Sequence, residues 1–150
     1  MSDSDGQPGG FGGTFSGQSC GLGESDDTHA SFSNFATLPA DQAHAVAASG
    51  VCDLSTYPLA KCATKEDPHP TECFRSPSGT SFASTAVAGT VALCIAGGAC
   101  AGLTPARIIR KIVADTQAYN TANPGYGFVG DPLRPVEGKY YGYLIDAGRY

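Results

Sequence analysis

The chain is short of charge. Lys, Arg, Asp and Glu make up 15% of its 150 residues, and the net charge is -5. Nine residues are basic, and they are scattered apart from Arg107, Arg110 and Lys111, which read as the solvated face of one helix. Phosphate binding needs clustered Lys and Arg, so nucleic acid is not an expected partner. Long apolar runs are missing as well. A membrane span needs roughly 18 or more apolar residues in a row. The most apolar stretch, from Phe82 to Gly98, is broken by Ser84, Thr85 and Thr90, so no membrane span is expected. None of the six cysteines forms a CxxC pair, which removes zinc-ligand spacing and leaves no metal expected. No internal repeat is visible.

The residues that are present suit one domain or a large piece of one. The 41% hydrophobic content is enough for a packed core at this length. An even count of cysteines without metal spacing points to disulfides and an oxidising compartment, hence a secreted or extracellular protein. Cys94 and Cys100 flank Gly97 and Gly98, and are expected to pair. Cys62 and Cys73 are expected to clip the loop between them, which leaves Cys20 with Cys52 by elimination. Met1 is followed by the acidic "SDSDG" rather than by an export leader. The expectation is that a leader has been removed or that the natural chain begins further upstream.

Residues 1–29 and 60–77 are rich in Gly, Ser, Asp and Pro and read as loops. "ASFSNF", Ala30 to Phe35, reads as a short strand or strand end. "HAVAASGV", His44 to Val51, is small and apolar enough for a buried strand. "CDLSTYPL" offers a second. A helix follows from about Phe82 and ends at Gly97-Gly98. It is apolar nearly all round, which predicts a central, buried position. A second helix opens at Thr104 as N-cap with Pro105 at the first helical position. Ile108, Ile109, Ile112 and Val113 form its expected buried stripe. Residues 117–138 read as loop, and "YYGYLIDAG" as a closing strand and turn.

The serines before the first long helix carry the functional question. Ser and Thr at such a place usually cap the helix. A reactive serine needs free N–H groups and the helix dipole beside it. It also needs a glycine that lets a substrate backbone come close. "Gly79-Thr80-Ser81" meets both needs, and it is not a G-x-S-x-G elbow because Ala83 stands at the second glycine position.

"SGTSFAS", Ser78 to Ser84, followed by "AVAG", Ala86 to Gly89, closely resembles the serine motif of the subtilisin-like serine proteases, S-G-T-S-M-A-[ST]-P-H-V-A-G. "ASFSNF", "VAASGVCDLSTYP", "LTPARIIRKIVADT" and "GYLIDAG" resemble further segments of that family, in family order. The resemblance implies an α/β fold with a doubly wound, mainly parallel sheet. This chain would be its C-terminal part, with a buried central helix following the serine. It implies a serine endopeptidase that hydrolyses a polypeptide substrate through an acyl-enzyme on Ser81, without cofactor or metal. The backbone N–H of Ser81 would form half of the oxyanion hole, and Gly79 and Thr80 the active-site turn. Ser78, Ser84 and Thr85 are left with structural roles.

The departures are definite. The family's Pro and His after the serine are Thr85 and Ala86 here. Its Pro before Gly50 is Ser49, which is expected to loosen that turn. Its catalytic Asp, in D-[ST]-G, and His, in H-G-[TH]-x-[VC]-A-G, do not occur in these residues, nor does the oxyanion Asn of A-[AS]-G-N. His29, His44 and His69 lack the helix context of the family's base. Asp26, Asp27 and His29 read as solvated loop rather than a metal site. Residues 1–150 are therefore expected to be a partial catalytic domain whose partner is the missing N-terminal half. The alternative is a non-catalytic remnant of such a domain, a pseudoenzyme or binding module.

Overall fold

A computed structural model describes residues 25, 27–53, 55–64, 66–67 and 69–150. Two long helices dominate it. Helix α2 runs Thr80–Ala96 and α3 runs Pro105–Ala122, after a single turn of helix α1, Pro39–Gln42. Strand β1, Val46–Ala47, lies parallel to β4, Tyr143–Leu144, with Val46 opposite Tyr143 and Ala47 opposite Leu144. The amide of Ile145 extends that ladder by donating to the carbonyl of Ala47 at 2.9 Å. Strand β2, Ser55–Thr56, is antiparallel to β3, Phe74–Arg75. Helices and small sheets with a parallel pair make the chain α/β. No helix among the described residues is long and apolar enough to cross a membrane.

Several elements depart from the sequence-based expectation. "ASFSNF" is a turn rather than a strand, because the amide of Ser33 folds back onto the carbonyl of Ala30 at 2.9 Å. The bridges here form on either side of it, Thr28 to Val129 and Ala36 to Tyr140. The 60–77 loop contains β3 and begins in a 3-10 turn, Leu59–Lys61. Helix α3 continues to Ala122, past the expected end at 116. Its buried row is Ile108, Ile112, Thr116 and Asn120, while Ile109 is 43% exposed. The row runs every fourth residue and becomes polar halfway, so apolar periodicity fades before the helix ends. Asn120 is held there because its side-chain amide donates to the carbonyls of Thr116, at 2.9 Å, and of Leu144, at 2.8 Å.

Among the described residues two disulfides are in place, Cys62–Cys73 and Cys94–Cys100. The first closes the loop between β2 and β3, and the second seals the C-terminal end of α2. The expected Cys20–Cys52 pair involves Cys20, which lies outside the described residues, as does most of the 1–29 segment.

The expected burial of α2 is corrected. Only Ala83, Thr90 and Cys94 are buried, and they line one stripe against Ala48, Val51, Ile108, Ile112 and Ile145. Leu93 and Ile95 remain 48% and 46% exposed. The helix is apolar on every side, but the described residues supply cover for one side only. A groove of about 520 Å³ runs along the open flank, between Ala86, Gly89 and Leu93 of α2 and Ala48, Leu144 and Ala147. Leu93→Gln should therefore cost no more than about 0.5 kcal/mol of stability, as at an ordinary surface position. Ile112→Ala, in the core, should cost about 2–5 kcal/mol. Chemical denaturation of the two variants measures both, and a loss for Leu93→Gln as large as that for Ile112→Ala would contradict the open face.

An ionic cluster ties the last residues to α3. Asp115 accepts from Lys111 Nζ at 2.9 Å and from the Tyr150 hydroxyl at 2.9 Å, with Arg149 Nε at 3.9 Å. Desolvation pushes the Asp115 carboxyl upward, but the two hydrogen bonds and the charges of Lys111 and Arg149 outweigh it and hold the group below its ordinary 3.8. Its folded value is thus the lower one. The stability it contributes is complete above about pH 3.8 and is lost as pH falls through the folded value. Lys111→Met should flatten the acid limb of the stability curve below about pH 4. Denaturation at stepped pH checks this, and an unchanged acid limb would count against the cluster.

Candidate functional site

Helix α2 begins at Thr80 with Gly79 as its N-cap, so Ser81 is the second helical residue. Its side chain is exposed, and among the described residues its hydroxyl makes no hydrogen bond. The first intrahelical bonds run from the amides of Phe82 and Ala83 to the carbonyl of Gly79, at 3.0 and 3.4 Å. The amides of Thr80 and Ser81 precede them, so they point outward at the positive end of the helix dipole. A Cβ at Gly79 would stand 3.2 Å from the Ser81 hydroxyl oxygen and 3.4 Å from the Phe82 ring. The absent side chain at Gly79 is what leaves that hydroxyl room.

The turn before the helix is bound to a second turn, Ser49 to Asp53. The amide of Gly79 donates to the Gly50 carbonyl at 2.8 Å, and that of Asp53 to the Pro77 carbonyl at 3.1 Å. The amide of Cys52 donates to the Ser78 hydroxyl at 2.8 Å. Ser78 therefore fastens one turn to the other, a more specific role than the one expected of it. Cys52 itself has φ +57°, a left-handed conformation rare outside glycine. Across this bend the Ser49 hydroxyl donates to Asp53 Oδ1 at 3.0 Å. Burial raises the Asp53 carboxyl above its ordinary value, with the Ser49 hydrogen bond pulling the other way. The expectation that Ser49 loosens this turn is thus corrected, because a side-chain hydrogen bond spans it. A serine and an aspartate four residues apart around a glycine were the only signal for this.

The remaining serines and threonines of the motif serve the helix. Ser84 donates to the Ser81 carbonyl at 2.8 Å, and Thr85 to the Phe82 carbonyl at 2.7 Å. His44 follows α1, with its Nδ1 2.8 Å from the Ala40 carbonyl. It shares a cavity of about 290 Å³ with Thr80, Ala83 and Ser84. His29 stacks on Tyr141 and meets the Val129 carbonyl, and His69 is exposed. Among the described residues none of the three is hydrogen-bonded to Ser81. No group of three or more His, Cys, Asp or Glu side chains suited to a metal ion occurs among the described residues. Asp26 lies outside them.

An exposed serine hydroxyl at a helix N-terminus, on a glycine turn, meets one requirement of a nucleophile, and a base within hydrogen-bond reach is the other. The sequence model of the subtilase family (Peptidase_S8) matches residues 10–129. The chain belongs to the subtilase family. No curated protein and no solved structure matches it. As a subtilase, the chain is a member of a family of serine peptidases whose substrates are polypeptides. The match covers the turn at Ser49–Asp53, the clipped loop and all of α2 and α3.

Proposed function

We propose that this subtilase chain is the C-terminal part, residues 1–150, of a serine endopeptidase domain, and that Ser81 is its nucleophile. The observation that carries this is the Ser81 hydroxyl above Gly79 at the start of α2, without a hydrogen bond among the described residues. In the reaction, Ser81 Oγ attacks the carbonyl carbon of a peptide bond and passes its proton to a base. The amine then leaves with a proton, and water hydrolyses the resulting ester. The negative oxygen of the tetrahedral intermediate would lie against the amide of Ser81, aided by the dipole of α2. Thr80 and Gly79 shape that turn.

A serine hydroxyl is a weak nucleophile without a base and an orienting carboxylate. The D-[ST]-G and H-G-[TH] segments that supply them in the family are not in these residues. We therefore assign catalysis to this chain together with a segment that carries them. Such a segment would complete a doubly wound sheet and cover the open flank of α2. The disulfides favour a secreted or extracellular setting. The proposal needs no metal, cofactor or nucleic acid.

A fluorophosphonate probe tests the assignment. The chain alone should remain unlabelled at neutral pH. The same chain joined to a subtilase segment with the Asp, His and Asn should be labelled at Ser81. Ser84→Ala should keep that label, because its hydroxyl serves only the helix backbone. Labelling of the joined protein at another residue would refute the role of Ser81. A joined protein that folds and is never labelled would instead favour a non-catalytic remnant.

A further inference from the structure

The Asp53 carboxyl is half-buried, and among the described residues no cation pairs with it. The chemistry proposed above makes no use of it. The Ser49 hydroxyl donates to it at 3.0 Å. Between these two residues lie the Gly50 carbonyl and the Cys52 amide, and Asp53 adds its own amide. These three backbone groups make the three hydrogen bonds to Pro77, Ser78 and Gly79. Gly79 in turn is the N-cap of α2 and the floor beneath the Ser81 hydroxyl.

We propose that Ser49 and Asp53 act as a positioning clamp that fixes the nucleophile turn and, through it, the hydroxyl and amide of Ser81. The left-handed Cys52 between them is a conformation that costs free energy and persists only where its surroundings enforce it. The Ser49–Asp53 hydrogen bond spans that residue and holds the bend closed. With the bend closed, the Gly50 carbonyl and the Cys52 and Asp53 amides all face the Pro77–Gly79 segment. Without it, the bend can relax, and the anchor of the α2 N-terminus relaxes with it. A charged carboxylate is a stronger acceptor than a neutral group, which suits a bond that shares this task with the disulfide at Cys52. Asp53 and Ser49 touch no reacting atom in this scheme and act only through the turn.

The inference rests on Ser81 being the nucleophile, and the test separates the two. In the joined protein, the rate of labelling at saturating probe is measured for the parent, Ser49→Ala, Asp53→Ala and Asp53→Asn. A shift of about 1 Å at a reacting group can slow a reaction about a hundredfold. Asp53→Ala and Ser49→Ala should each slow labelling between about tenfold and about a hundredfold, with the probe's half-saturating concentration little changed. Asp53→Asn keeps an acceptor for Ser49 and should recover most of the rate. The double Ser49→Ala, Asp53→Ala variant should be no slower than the slower single variant, because both remove one bond. In the 150-residue chain, Ser49→Ala should also speed hydrogen exchange at the amides of Cys52, Asp53 and Gly79. Full labelling rates in Ser49→Ala and Asp53→Ala, with unchanged exchange in Ser49→Ala, would overturn the clamp while leaving Ser81 as nucleophile. A parent that is labelled elsewhere would overturn the assignment of Ser81 and the clamp with it.

Discussion

Ser81→Ala, in the protein joined to a segment bearing the Asp, His and Asn, is expected to lower kcat for peptide hydrolysis about 10⁶-fold, the size of loss seen on removing the serine of a subtilisin. The substitution removes one oxygen, exposed and unbonded, from the second position of α2. No packing is lost, so stability should stay within about 0.5 kcal/mol of the parent. The KM should also change little, because the surfaces that hold the substrate remain. What disappears is the covalent route, leaving a residual acceleration of about 10³–10⁴ over water from binding and oxyanion stabilisation. Steady-state hydrolysis of a peptide substrate, at protein concentrations fixed by absorbance, measures the effect. A loss of tenfold or less would mean that another group makes the attack.

The second large effect concerns stability. Asp131 is fully buried. One of its oxygens accepts from the amides of Leu133 and Arg134, at 2.9 and 2.8 Å. The other accepts from the Phe128 amide at 3.1 Å and from the Arg134 guanidinium at 2.9 Å. Arg134 also donates to the carbonyls of Pro124, Tyr126 and Phe128. A Cβ at Gly127 would collide with both charged groups, and Gly127 has φ +133°, so only glycine fits the centre of this knot. Asp131→Ala strips three amides and a guanidinium of their acceptor and should cost about 3 kcal/mol or more. Asp131→Asn, which keeps the shape, should cost less. For a domain with a stability of roughly 5–15 kcal/mol, the alanine loss is large. Urea denaturation reads it, and a shift in midpoint worth under about 1 kcal/mol would show that the knot is not needed.

Residue identity, not periodicity, singled out the candidate site. Gly79, Thr80 and Ser81 are meaningful as a triplet because each residue has a separate physical task. The two local disulfides were legible for a different reason, since short separations in sequence leave little freedom of pairing. The start of α3 was marked by Thr104 and Pro105, but its end was not. Thr116 and Asn120 are buried by hydrogen bonding, which leaves no apolar trace in the sequence. The Asp131–Arg134 knot was hidden in the same way, inside a stretch read as loop. Its residues satisfy backbone carbonyls and amides, and no pattern of side chains announces that. The one-sided cover of α2 has a third cause. An all-apolar helix says that it must be covered, but not that the covering residues are in the same chain.

The parallel pairing of β1 with β4 has a consequence in time. Tyr143 emerges from the ribosome about 100 residues after Val46. At synthesis rates of about 5–20 residues per second, that interval is about 5–20 s. For that period β1 has no β4 beside it, and the apolar stripe of α2 lacks Ile145. The nascent chain therefore carries an unpaired strand and an incompletely covered helix together until Leu144 and Ile145 are made. A chaperone or translocation channel that shields residues 46–96 during that interval would protect both surfaces.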